Sequence, residues 1–132
     1  MDQITEFALK LLIAHTSEHL DAIHAAVLQE KAISKFSVFR TADWYLEFVT
    51  AGVNKGAALS DVRERCGNVQ KILAIGDYNN DLEMVSLADI GAAPANAIDE
   101  VKSAADILLA RNNNQSCVAE FLNRALGIEY TH

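Results

Sequence analysis

Lys71-Ile72-Leu73-Ala74-Ile75-Gly76-Asp77-Tyr78-Asn79-Asn80-Asp81-Leu82-Glu83-Met84 is the stretch on which the reading of this chain turns. It begins as a short apolar run, which suits a strand buried on both faces of a parallel sheet. The run breaks at Gly76 and opens into an acidic, amide-rich turn. Leu82, Val85 and Ala88 then recur at helical spacing. Strand, glycine, acid and helix start are the order in which an open α/β sheet presents chemistry, at the carboxyl end of a strand.

The residue types have physical reasons. Gly76 is expected to supply backbone angles that a side chain would forbid. Asp77 and Asp81 place two carboxylates within one turn of each other. Such hard oxygen ligands suit Mg²⁺, which keeps several waters and takes only one or two protein acids. Asn79 or Asn80 is placed to cap the helix that follows. An isolated Asp-rich turn is as readily a plain loop and cap. The Gly-Asp-x-x-Asn-Asp spacing directly after a buried strand favours a site.

This motif, with Met84 three residues on, resembles the fourth motif of the haloacid dehalogenase (HAD) superfamily, and most closely its Cof-type phosphatases with a large inserted cap. The resemblance extends along almost the whole chain. Residues 8–14 read as a strand, and Thr16 or Ser17 caps a helix with Leu20, Ile23, Ala26 and Val27 at helical spacing. Residues 36–40 read as a second strand, Thr41-Ala42-Asp43 as a turn, and residues 44–50 as a third strand with Trp44, Leu46 and Phe48 on one face. Strand, helix and two adjacent antiparallel strands resemble the last part of a Cof-type cap.

Residues 51–54 read as a hinge back to the core. Lys55-Gly56 then opens a helix with Ala58, Leu59, Val62 and Cys66 on one side, stopped at Gly67. Residues 88–93 read as a parallel strand. Asn96 caps the next helix, with Asp99 in the position of a capping-box acid. Residues 106–109 form another strand, and Val118, Phe121, Leu122 and Ala125 an amphipathic helix ending at Gly127. This alternation predicts an α/β fold: a partial doubly wound, Rossmann-like parallel sheet. The expected organisation is a cap fragment of α+β character over residues 1–51 and the second half of a HAD-like core over 52–132.

The resemblance implies a Mg²⁺-dependent phosphatase acting on a small phosphorylated metabolite such as a sugar phosphate. It implies that Asp77 binds the metal and that Asp81 supports the metal shell or orients Lys55. Lys55 and Asn80 would hold the phosphoryl group. Arg40, at the end of a cap strand, and Asn96, matching the asparagine of a Gly-Asn-Ala turn, would touch substrate. Here that turn is Ala95-Asn96-Ala97, so the glycine is absent.

One departure outweighs the matches. HAD phosphatases carry an Asp-x-Asp pair whose first member attacks phosphorus and whose second acts as general acid and base. No Asp-x-Asp occurs in the 132 residues. Nucleophilic catalysis needs the attacking group itself, so the chain as given is expected to be inactive alone. The missing strand would also leave the strand ending at Gly76 with an open edge. Self-association or a complementary N-terminal half is therefore expected. The competing reading is a non-catalytic α/β module or one half of a split enzyme.

Composition bounds the partners. The net charge of −7 leaves no basic face for nucleic acid or an anionic membrane. No apolar run approaches the ~20 residues of a membrane span. Asp2 and Glu6 stand where a signal peptide would be basic. Cys66 and Cys117 lack metal or redox spacing. These features lead to the expectation of a cytoplasmic protein. His15 and His19 are spaced to share a helix face, but no third ligand is evident, and a polar face is the simpler reading.

Overall fold

The computed structural model describes residues 9–127. The chain divides into two units, with the boundary between Val53 and Asn54.

In the first unit, β1 (Lys10–Ala14) and β2 (Phe36–Ala42) flank β3 (Tyr45–Thr50), both antiparallel to it. Helix α1 (Ser17–Val27) lies against β3. Leu20 from the helix and Leu46 from the strand are fully buried. The pairing is as the sequence predicts, but the turn is not. The register shifts between Arg40 and Ala42, so β2 runs on through Thr41 and Ala42. The extra residue moves the turn to Asp43 and Trp44. Trp44 is therefore 59% exposed in the turn and does not join Leu46 in the core.

The second unit is the parallel half. Helix α2 (Lys55–Arg65) precedes β4 (Leu73–Ile75), α3 (Leu82–Leu87), β5 (Ile90–Ala93), α4 (Asp99–Ala104), β6 (Ile107–Leu108) and α5 (Cys117–Leu126). The strand order is β4-β5-β6, all parallel. The two-residue period of β5 divides the core. Ala93 faces Val85, Ala97 and Val101 from the α3 and α4 side. Ala92 faces Leu109, Cys117 and Phe121 on the α5 side. Helices thus cover both faces of the sheet, which is the doubly wound arrangement. The small residues of β5 let α3 come close. A Cβ at Gly91 would collide with the carbonyl oxygen of Val85.

Two aspartates pin the strand starts in the same way. Asp89 donates its N–H to the Ile72 carbonyl and accepts the Ile72 N–H on its carboxylate at 2.7 Å. Asp106 does the same to Gly91, with the carboxylate bond at 2.8 Å. Both sit in an Ala-Asp-Ile triplet, at 88–90 and 105–107. Among the described residues, β4 pairs only with β5. Ile72 and Gly76 bond toward β5, so the alternate groups of Leu73 and Ile75 face the open edge.

The expected capping at Asn96 is not what forms. The N-cap of α4 is Ile98, without a side-chain cap bond, and Asp99 is the first helical residue, so the capping box is absent. The side chain of Asn96 is instead bonded to Asp77 and to the Asn113 N–H.

Candidate active site

The site is assembled at the carboxyl end of β4. Asn54 starts it: its Oδ1 accepts the Ala57 N–H at 2.7 Å and caps α2. This cap makes Lys55 the first residue of the helix. The Lys55 ammonium donates to Asp81 Oδ1 as an ion pair. The other carboxylate oxygen of Asp81 accepts the N–H groups of Asp77 and Tyr78, at 3.0 and 3.4 Å. Asp81 is 6% exposed, and the three donors offset the cost of burying its charge. Asp81, rather than Asn79 or Asn80, therefore closes the turn after the strand.

Gly76 is needed here for a different reason from the one the sequence suggests. Its φ lies outside the left-handed region. A Cβ at this position would instead collide with the Asp81 Cβ. The glycine makes room for the aspartate to fold back beneath the strand end.

Asp77 faces the cleft. It is half-buried, and among the described residues its carboxylate forms no ion pair. Its Oδ2 accepts the Asn96 amide at 3.3 Å, and its carbonyl accepts the Ile98 N–H at 3.0 Å. Asn96 Oδ1 in turn accepts the Asn113 N–H at 3.0 Å. Lys55, Asp77, Asp81, Met84, Asn113 and Cys117 share the lining of one cleft of about 380 Å³.

The remaining candidates are distributed differently. Asn80 is half-buried in the short 3₁₀ turn that carries Asp81. Arg40 belongs to the first unit, where its guanidinium is spent on the Asp21 carboxylate, the Ser17 hydroxyl and carbonyl, and the carbonyls of Ala42 and Asp43. These bonds tie the start of α1 to the β2–β3 turn. The His15 and His19 rings lie 4.2 Å apart, with the Thr16 hydroxyl against both. No group of three or more His, Cys, Asp or Glu residues converges to hold a metal among the described residues.

Sequence reasoning misses the Asn54 cap, although an asparagine directly before a helix is a standard signal. It also misses Asn113, whose contribution is a backbone N–H and carries no sequence signature. No helix of the described residues is long and apolar enough to cross a membrane.

Comparison with known proteins identifies the family. A family model described as haloacid dehalogenase-like hydrolase matches residues 1–122. The 5-amino-6-(5-phospho-D-ribitylamino)uracil phosphatase YitU of Bacillus subtilis is 34% identical over 106 residues, which are 79% of this chain and 36% of that protein. Endoribonuclease YBEY of Arabidopsis thaliana is 29% identical over 116 residues, 87% of this chain but only 20% of that protein. A haloacid dehalogenase-like hydrolase from Bacteroides thetaiotaomicron superposes with a TM-score of 0.74 at 34% identity, covering 92% of this chain and 46% of its own. The chain thus spans about half, or less, of the length of the proteins it matches.

Proposed function

The chain belongs to the haloacid dehalogenase-like hydrolase family, and from that premise we propose that it supplies the lysine and the metal acid of a Mg²⁺-dependent phosphomonoester hydrolase. The observation that carries this reading is the Lys55–Asp81 pair set beside Asp77 in one cleft at the end of β4.

The donor set fits Mg²⁺. Asp77 offers a carboxylate with no cationic partner among the described residues, and a Mg²⁺ site requires only one or two such groups alongside waters and substrate phosphate. Both oxygens of Asp81 are already taken. Asp77 would therefore be the direct ligand, and Asp81 would shape the turn and fix Lys55. When bound, the ion would spread the charge of a transferring phosphoryl group. Lys55, half-exposed at the head of α2, would meet a phosphoryl oxygen with its remaining donor capacity. Asn80 is proposed as a second phosphoryl contact, and a small phosphorylated metabolite as substrate.

On this reading the nucleophile would be supplied by a segment other than residues 1–132, which contain no Asp-x-Asp. The open edge of β4 is the proposed docking line for the segment that carries it, because a strand added there would end beside Asp77. The absent nucleophile also favours a second reading, a non-catalytic α/β subunit. Titration with Mg²⁺ separates the two. Binding by the wild type that disappears in Asp77→Ala supports the metal assignment. Binding unchanged by that substitution, or no binding by the wild type, overturns it and leaves the non-catalytic module.

A further inference from the structure

Asn96 sits between two partners whose chemistry determines its orientation. The Asn113 N–H can only donate, so it must be met by Asn96 Oδ1, at 3.0 Å. The amide nitrogen is thereby turned toward Asp77 Oδ2, at 3.3 Å. A side-chain amide has no other way to serve both partners. The loop that supplies the Asn113 N–H is itself braced. The Ala110 and Arg111 N–H groups donate to Glu120 at 3.0 and 2.9 Å. Ala95 N–H reaches the Arg111 carbonyl at 3.0 Å. Asn112 Oδ1 accepts the Asn114 N–H at 2.9 Å. Ser116 closes the loop at φ +60°, a left-handed conformation that a non-glycine residue holds only where its surroundings impose it.

We infer that Asn96 is a positioning residue, which orients the Asp77 carboxylate toward the cleft and couples it to the 111–116 loop. This inference rests on the metal reading of Asp77 proposed above. It assigns Asn96 a role through Asp77 in place of direct contact with substrate. One oxygen of Asp77 is held by the amide, and the other is left for a cation. Groups that orient a metal-binding carboxylate in this way change metal affinity by roughly 10–100-fold when removed.

The test is Mg²⁺ titration of the whole chain, followed by amide NMR and calorimetry. In the wild type, the Asn96 side-chain amide and the Asn113 N–H shift together on adding Mg²⁺. Asn96→Ala weakens Mg²⁺ binding by about 10-fold or more, with the thermal midpoint nearly unchanged because the side chain is exposed. Asn113→Ala keeps the backbone donor and keeps the affinity. Asn113→Pro removes that donor and weakens binding with Asn96 intact. Loss of binding in Asp77→Ala with full affinity in Asn96→Ala refutes the positioning role alone. Unchanged binding in Asp77→Ala refutes the metal reading beneath it. If a variant does not fold, the wild-type titration still decides: an Asn96 amide that stays fixed while Asp77 shifts overturns the coupling.

Discussion

Asp81 is buried and Lys55 is half in water, yet the two form one ion pair: their side chains are 8% and 50% exposed. The asymmetry decides what each contributes. Asp81 also carries the N–H groups of Asp77 and Tyr78, so its removal strands two donors and a cation together. Asp81→Ala is expected to cost about 1–3 kcal/mol. Lys55→Met leaves both backbone bonds in place but strips a buried carboxylate of its cation, and is expected to cost about 1–2 kcal/mol, less than Asp81→Ala because Lys55 is half in water. Urea denaturation of the two variants checks the order. Equal losses would mean that the ion pair, and not the turn, is the structural element.

Gly91→Ala is expected to destabilise more than a surface glycine substitution. The added methyl meets the Val85 backbone carbonyl and side chain. Backbone cannot rotate away as a side-chain tip can. A cost of about 1–3 kcal/mol is expected from overpacking. Gly67→Ala is the control, since a methyl added there meets nothing within 4 Å among the described residues. Similar thermal midpoints for the two would contradict the close packing of α3 on β5.

Acid should loosen the β6–α5 junction. Partial burial pushes the Glu120 carboxyl upward, but the Ala110 and Arg111 N–H groups and the charges of Arg124 and Arg111 outweigh it and hold the group below its usual 4.5. A depressed folded-state pKa contributes stability that is present above the unfolded value. That contribution is lost as pH falls through the folded value. Asp89 behaves alike: the Ile72 N–H lowers it most, partial desolvation opposes, and Arg63 adds to the lowering, from a usual 3.8. Stability should therefore fall below about pH 4.5. Glu120→Gln should flatten part of that slope in a series of thermal melts. An unchanged slope would remove Glu120 from the account.

The edge of β4, unpaired among the described residues, makes a residue-by-residue prediction. The Leu73 and Ile75 amides face away from β5, while the Gly76 N–H donates to the Ala92 carbonyl. At low concentration, Leu73 and Ile75 should exchange with solvent faster than Gly76. Their protection should rise with protein concentration, or on adding a segment that pairs along the edge. Protection independent of both would argue against the proposed docking line.

Much of the second unit is legible in the sequence because its signals are local. An apolar run, a glycine and an acid mark the end of β4. Gly127 stops α5 in the left-handed region at φ +65°, where glycine has no Cβ penalty. The misses have different causes. Alternation puts Trp44 in a strand because it cannot show that a bulge after Arg40 displaces the turn. Asn96 reads as a helix cap because its partners are distant in the chain: Asp77 lies 19 residues away and Asn113 17.

The order of elements, the parallel character of the second unit and the acids at the end of β4 are legible from local sequence. Those follow from periodicity and short-range turn chemistry, which act between near neighbours. The division of tasks between the acids arises on folding. Asp81 turns inward to Lys55 and two N–H groups, and Asp77 is left facing the cleft under the amide of Asn96. Two aspartates of identical chemistry, four residues apart, are distinguished by burial and by their long-range partners Lys55 and Asn96, which reach them only once distant parts of the chain have met.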